Sequence, residues 1–390
     1  MNILFLNIFR PTEDASGGIA RVTRNLNRIF TENGHRCSLA YFIGMIEKET
    51  GEYYESVKLE QGNEYELLSR LAVDTDVVII QIQMTKKYLY LLPILDRLKR
   101  EYGIRLVYCH HSVPFAEAAG LDFHYLKWIL FHSKGKLKTA LWCATCILFP
   151  RFCTRRIAAR RQVVSDVVDK VVLLSESFIP EYLKYVDTDR NKLACIGNCF
   201  TYTNGGYDET LKENTILVVS NMTEQAKRIS TILKAWKQIK SMDGTENWKL
   251  QLVGNGEDFE EYRRIAARLK LTGCSFEGRQ NPLPYYRKSK MLLMASAFEG
   301  FGMVILEAQQ MGCVPVVCNS TSSVHDIIDN GKNGMIISPQ LLAGTVYGLM
   351  RDDARRQEIA GQCPSMNGKF SERTIYSKWE NLFKHLGNDE

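Results

Sequence analysis

The stretch Ser296-Ala-Phe-Glu299-Gly-Phe-Gly302-Met303-Val-Ile-Leu-Glu307-Ala-Gln-Gln-Met311-Gly312-Cys-Val-Pro315-Val-Val317 decides how this chain is read. The apolar run Met291–Met294 before it reads as a buried strand, and Val314–Cys318 after it as another. Between them, Met303–Met311 reads as a short helix, with Gly312 and Pro315 as its stop signals. Strand, glycine turn, helix, strand aims unpaired backbone N–H groups at an anion. A carboxylate stands at each end of that turn, Glu299 before the helix and Glu307 within it. A Glu at each end could grip the groups on either side of a phosphate bound there. The pattern predicts a nucleotide-sugar site.

Outward from this stretch, apolar strands alternate with amphipathic helices through the whole chain. In the first half, strands are read at Asn2–Asn7, Cys37–Phe42, Val77–Gln81, Arg105–Cys109, Val171–Leu174 and Leu193–Ile196, with a helix at Ile19–Phe30. A second series has strands at Ile216–Val219, Leu250–Val253 and Cys274–Glu277, and helices at Ile229–Ile239 and Glu260–Leu269. Such alternation predicts α/β architecture with doubly wound parallel sheets. The polar, glycine-containing Thr201–Thr210 reads as a linker. Three parts follow: an N-terminal domain 1–200, a C-terminal domain 201–370, and a closing amphipathic helix in 371–390.

Composition narrows the class. The 390 residues are 45% hydrophobic and 24% charged, as in an ordinary globular chain. No apolar run reaches membrane-spanning length, and Met1–Ile8 lacks the basic start of a signal peptide. The 11 cysteines are scattered and read as reduced core residues of a cytoplasmic protein. Cys143 and Cys146 have CxxC spacing with no second pair to complete a zinc site. Net charge is +6, yet nine Lys and Arg and no acid lie between Phe123 and Ser165, which leaves −3 for the remainder. That segment (Lys127, Lys134, Lys136, Lys138, Arg151, Arg155, Arg156, Arg160, Arg161) is interleaved with Trp128, Phe131, Trp142 and Phe149. Aromatic and apolar blocks flanked by cations suit an anionic bilayer surface, and Lys134, Lys138, Arg151, Arg155 and Arg156 are the candidates for membrane or acceptor contact. A chain acidic elsewhere argues against nucleic acid.

The Glu299-x7-Glu307 pattern, with Gly300-Phe301-Gly302 between, resembles the signature of family 4 retaining glycosyltransferases, which have the GT-B fold of two Rossmann-like domains facing across a cleft. The resemblance is dense from Ile216 to Pro339 and patchy before. It implies transfer of a hexose or N-acetylhexosamine from a nucleotide sugar, by default UDP-linked, to a glycan acceptor. The acceptor is expected to be lipid-linked, and the setting cell-surface polysaccharide synthesis on the inner face of the cytoplasmic membrane. No cofactor and no metal are implied. Glu299 would contact the donor sugar, Phe301, Gly302 and Met303 the sugar and diphosphate, and Glu307 the ribose. Ser16-Gly17-Gly18-Ile-Ala-Arg21 matches the family's Gly-Gly-x-x-Arg loop, where bare backbone approaches the ligand. His111-Ser-Val-Pro114, at the carboxyl edge of a strand, matches the family's functional histidine, with His110 facing the other way.

One departure stands out. The family places Gly-Arg-Leu after the first strand of the second domain and a Lys about six residues past that Arg, both to neutralise the leaving diphosphate. Here Lys227 is present, but Asn221 stands in the Arg position, and Arg228 is the candidate substitute. Asn221 leaves open a second reading, a weakened GT-B protein acting as a nucleotide- or lipid-binding subunit. The paired glutamates are not read as a glycosidase pair, because one segment supplies both.

Overall fold

The computed structural model describes residues 1–11, 17–44, 52–132, 136–200, 202, 206–320, 322–363 and 365–386. Lys134, Ser16 and the linker residues 201 and 203–205 lie outside them. The chain divides into two compact units, 1–115 with 154–201 and 370–390, and 116–153 with 202–369.

The first unit is built on seven strands: β1 (Asn2–Phe9), β2 (Arg36–Ile43), β3 (Ser56–Lys58), β4 (Val77–Ile80), β5 (Arg105–His110), β6 (Lys170–Leu173) and β7 (Leu193–Cys195). Their order is β3-β2-β1-β4-β5-β6-β7, and every pairing is parallel. Strands such as Val77-Val-Ile-Ile80 are buried at every position, as a parallel sheet covered on both faces requires. The closing helix Glu372–Leu386 packs on this unit through Ile375, Trp379, Leu382, Phe383 and Leu386. Its anchor is Phe30, fully buried, with edge-on rings of Trp379 at 5.7 Å and Phe383 at 5.5 Å. Arg28 and Glu372 form an ion pair at the start of that helix.

The second unit has six parallel strands: β8 (Glu213–Val219), β9 (Lys249–Val253), β10 (Cys274–Gly278), β11 (Ser289–Met294), β12 (Val314–Cys318) and β13 (Met335–Ile337), in the order β10-β9-β8-β11-β12-β13. Pro315, read as a helix stop, is the second residue of β12. It opposes Leu292 of β11, and the ladder to β13 begins one residue later at Val316, so its missing N–H costs no bond on that side. Short β13 and the helices Leu342–Arg351 and Asp353–Gln362 were not read from the sequence.

The basic insert, placed by sequence with the N-terminal domain as 123–165, is divided by the structure. Residues 116–153 group with the second unit, while Arg155 and Arg156 group with the first. The physical reason is the inner face of the helix Phe123–His132. Tyr125, Trp128 and Ile129 join the apolar core that also holds Ile229, Leu233 and Tyr262. Arg161, counted among the nine cations, is buried in the first unit, where it donates to the carbonyls of Met84 and Pro114. No helix among the described residues is long and apolar enough to cross a membrane.

Phe30→Ala is expected to destabilise the first unit by about 3–5 kcal/mol, the usual cost of deleting a buried phenyl ring. Hydrogen exchange should show the amides of 372–386 losing protection together; unchanged protection there would contradict the anchoring role.

Candidate active site

The second unit assembles one end of its sheet around a tight turn. After β8 the chain passes Asn221, forms the short helix Glu224–Lys227, and leaves it through Arg228 in the left-handed region (φ 52°) before the helix Ile229–Ile239. A non-glycine residue held there implies surroundings that over-determine it. Those surroundings centre on Glu224, whose side chain is fully buried. Its carboxylate accepts from the Ser230 hydroxyl and N–H, from the Tyr262 hydroxyl at 2.8 Å, and sits 2.6 Å from His124 Nε2. Burial and this carboxylate push the Tyr262 phenol well above its ordinary range. Next to it, Asp258 accepts from the Glu224 N–H at 2.8 Å and from Trp128 Nε1 at 3.2 Å, and burial raises its pKa.

This turn presents Lys227 to the signature segment. Lys227 Nζ lies 2.6 Å from Glu299 Oε2, which also accepts from the Ser296 hydroxyl at 3.1 Å. The Glu299 carbonyl accepts from Ser323 Oγ at 2.9 Å, and the Ala297 N–H donates to Ala226 O at 2.7 Å, so backbone as well as side chains tie the two loops. Both partners are mostly but not wholly buried (24% and 15% side-chain exposure), so a ligand can reach the pair.

Gly302 begins the helix Met303–Gln310 with φ 93°, and a Cβ there would come within 2.8 Å of Ile305 Cδ1. Only glycine suits the position. The helix has no side-chain cap, which leaves its first N–H groups for an anion. Its far end is fastened by Lys212, whose Nζ donates to the carbonyls of Met311 (2.7 Å), Ser289 (2.9 Å) and Tyr286 (3.0 Å). Burial lowers the pKa of that ammonium, while its position opposite the helix C-terminus suits a cation.

Other expected residues fall into different surroundings. Glu307 is fully buried and accepts from Tyr286 OH at 2.8 Å, beneath the surface of the helix rather than on it. Phe301 is buried as well. Asn221 is exposed, its carbonyl accepting from the Thr223 N–H at 2.9 Å. Arg228, the candidate substitute for the missing Arg, spends Nη2 on Gly120 O (2.9 Å) and Asp122 Oδ1 (2.8 Å), while its buried Nη1 has no hydrogen-bond partner. It therefore clamps the 120–122 loop, and Nη1 with its two N–H bonds remains uncommitted. Glu224, Asp122, Asp258 and His124 carried no motif signal, because single polar residues in sequence do not announce which of them will meet.

In the first unit, Gly17 caps the helix Gly18–Glu32 and accepts the Arg21 N–H at 3.1 Å. Apart from chain neighbours and the helix's own backbone, no atom of the described residues lies within 4 Å of where a Cβ would stand at Gly17 or Gly18, so packing among those residues does not require glycine there. His111 hydrogen-bonds Gln81, and burial lowers its pKa to about 4. The cavity it lines measures ≈ 10 Å³, room for a single water. His110 points into the core with Nε2 3.1 Å from Pro114 O, and burial lowers its pKa to about 3. Both imidazoles are neutral at pH 7.

With the geometry in view, the relatives can be placed. Residues 206–362 match the family model Glycosyl transferases group 1. Most of the second unit is thus similar to a group 1 glycosyltransferase domain. It contains the whole Lys227–Glu299 arrangement. Among relatives, a Bacillus subtilis poly(glycerol-phosphate) alpha-glucosyltransferase is 29% identical over 136 residues, 34% of this chain and 20% of that protein. An Escherichia coli lipopolysaccharide 1,6-galactosyltransferase is 32% identical over 139 residues, 34% of this chain and 37% of that protein. The chain thus spans between a fifth and about a third of the length of these two relatives. A crystal structure of Anabaena HepE in complex with UDP and glucose superposes with a TM-score of 0.74 at 15% identity, covering 99% of this chain and 100% of that one. At that identity the likeness concerns the fold, which is GT-B, with two parallel-sheet α/β units of seven and six strands.

Both histidines carry a pH consequence. Folded, they stay neutral down to about 4 and about 3; unfolded, they take up protons near 6.5. The unfolded chain binds more protons in that window, so their contribution is complete above about 6.5 and is lost as pH falls through it. His110→Gln should flatten the acid limb of the first unit's stability between pH 6 and 4 by about 1.4 kcal/mol per pH unit, one proton's worth. Denaturant melts across that range test this, and an unchanged slope refutes it.

Proposed function

We propose that this protein is a retaining glycosyltransferase. It moves a hexose or N-acetylhexosamine from a nucleotide sugar, with UDP the expected carrier, to a glycan acceptor in cell-surface polysaccharide or glycoconjugate synthesis. The observation that carries the proposal is the meeting of Lys227 and Glu299. Residues 72 positions apart converge to 2.6 Å beside an uncapped helix N-terminus. An ammonium has three donors, so Lys227 can keep Glu299 and still donate to a phosphate oxygen. Glu299 is thereby oriented toward donor-sugar hydroxyls, and the N–H groups at Gly302–Val304 receive the diphosphate. As the acceptor hydroxyl bonds to the anomeric carbon, the bond to the diphosphate breaks on the same face and its electron pair leaves with the phosphate. Lys227 and the helix N-terminus stabilise that charge, and the hydroxyl proton passes to the departing phosphate. His111, neutral at working pH, is proposed to hydrogen-bond the sugar, and the bare Gly17-Gly18 backbone to admit the ligand. Two relatives that transfer glucose and galactose, and a neighbour holding UDP and glucose, support this choice of donor.

The subunit reading retains one specific support. Asn221 supplies no charge, and Arg228 is committed on one nitrogen to the 120–122 loop. Turnover separates the two readings. Across UDP-, GDP- and ADP-sugars, thermal shift should select UDP donors, and Lys227→Met should lower kcat by about 10²–10³ while nucleotide binding persists. Binding without turnover of any donor would favour the subunit, and binding of no nucleotide would defeat both readings.

A further inference from the structure

The hairpin formed by helices Phe123–His132 and Leu137–Leu148 is apolar on both sides. Its inner side is accounted for within the second unit. Trp128 lies tilted against Tyr262 with ring centroids 5.4 Å apart, His132 Nδ1 lies 2.7 Å from Glu261, and Ala140, Cys143 and Cys146 are buried. The outer side is not covered by the described residues. Phe123 (75% exposed), Leu130 (66%) and Phe131 (72%) occupy one stripe of the first helix. Leu137 (70%), Leu141 (60%) and Leu148 (69%) occupy one stripe of the second. At 100° per residue, positions 137, 141 and 148 fall within about 40° of one another, so this is a face and not scatter. A soluble surface seldom leaves so many large apolar side chains together.

Charge selects the occupant. Lys127 is exposed in the middle of the first stripe, Lys138 beside the second and Arg151 just beyond it, and no acid occurs from Phe123 to Ser165. Lys136, by contrast, is paired with Glu257 at 3.1 Å. A face of Phe and Leu set with Lys and Arg and devoid of acids complements a lipid surface whose headgroups are negative and whose acyl region takes the rings.

We infer that the outer face of the 123–148 hairpin inserts into the interface of an anionic lipid bilayer. The inference stands independently of the transferase reading, since lipid binding needs no turnover. The hairpin is also linked to the donor loop. Asp122 and His124 hold Arg228 and Glu224, and between those two residues Lys227 holds Glu299. A bilayer-bound hairpin therefore carries the donor loop as a fixed attachment, through side-chain bonds inside one unit.

Flotation of the full chain with vesicles provides the test. With phosphatidylcholine containing about 30% phosphatidylglycerol, whose anionic headgroups make the surface negative, the protein should co-float, and with pure phosphatidylcholine the bound fraction should fall about tenfold or more. The triple variant Leu130→Ser, Phe131→Ser, Leu141→Ser should lose flotation by a similar factor while its melting temperature and UDP-sugar binding stay unchanged. Val73→Ser, an equally exposed apolar position in the first unit, should float as the parent does. Lys127→Glu with Lys138→Glu should abolish the preference for anionic vesicles. Absence of flotation by the parent, or flotation indifferent to both variants, overturns the inference. So does a dimer in light scattering that the serine variant dissolves while lipid binding is absent, for then the face belongs to a second copy of the chain.

Discussion

The buried carboxylate of Glu224 is the constraint on which the second unit's chemistry rests. A carboxyl group with no solvent exposure is tolerated only when its oxygens are matched by hydrogen-bond partners. Ser230, Tyr262 and His124 supply them from three separate elements. Satisfying one carboxylate therefore fixes three pieces of chain together, and fixes the left-handed exit at Arg228. With the turn held, Lys227 has a defined place from which to meet Glu299. A flexible lysine on an unconstrained loop would lose rotamer freedom to make the same contact, and the pair would be correspondingly weaker.

The signature segment is organised by a similar division between surface and interior. Glu299 faces a position that ligand can reach, whereas Glu307 lies inside with Tyr286. Lys212, from outside the signature, closes the helix end by collecting three carbonyls. The first turn of the helix thus has no side-chain cap, while Lys212 holds the Met311 carbonyl at the other end. A helix end that lacks internal partners is stable when a ligand completes it, and the asymmetry agrees with a binding role for that end.

Much of the fold was legible because buried parallel strands are written as continuous apolar runs, and because the strand-to-helix alternation repeats. The helix Ile229–Ile239 and the strand Val314–Cys318 were read at the residues where they occur. The allocation of residues 116–153 was not legible. Their position between β5 and β6 in sequence suggested membership of the first unit, but Trp128, Tyr125 and Ile129 find their apolar partners on the helices Ile229–Ile239 and Phe259–Arg268. Proximity in sequence does not decide which core a surface helix will join. Arg161 shows the same limit, since an arginine counted with a basic surface proved to be a buried clamp on two carbonyls.

By itself the sequence determined the α/β periodicity, the glycine turn that opens the signature helix, and the residue types suited to gripping a nucleotide sugar. Those are local properties, set by backbone sterics and side-chain chemistry within a few residues. Tertiary structure alone decided that Lys227 meets Glu299, that Arg228 is spent largely on Asp122 and Gly120, that Glu307 turns inward, and that the basic hairpin groups with the second unit. Each of these joins residues far apart in the chain. Which distant polar groups pair is settled by where the packed strands and helices bring them, and no local pattern records it.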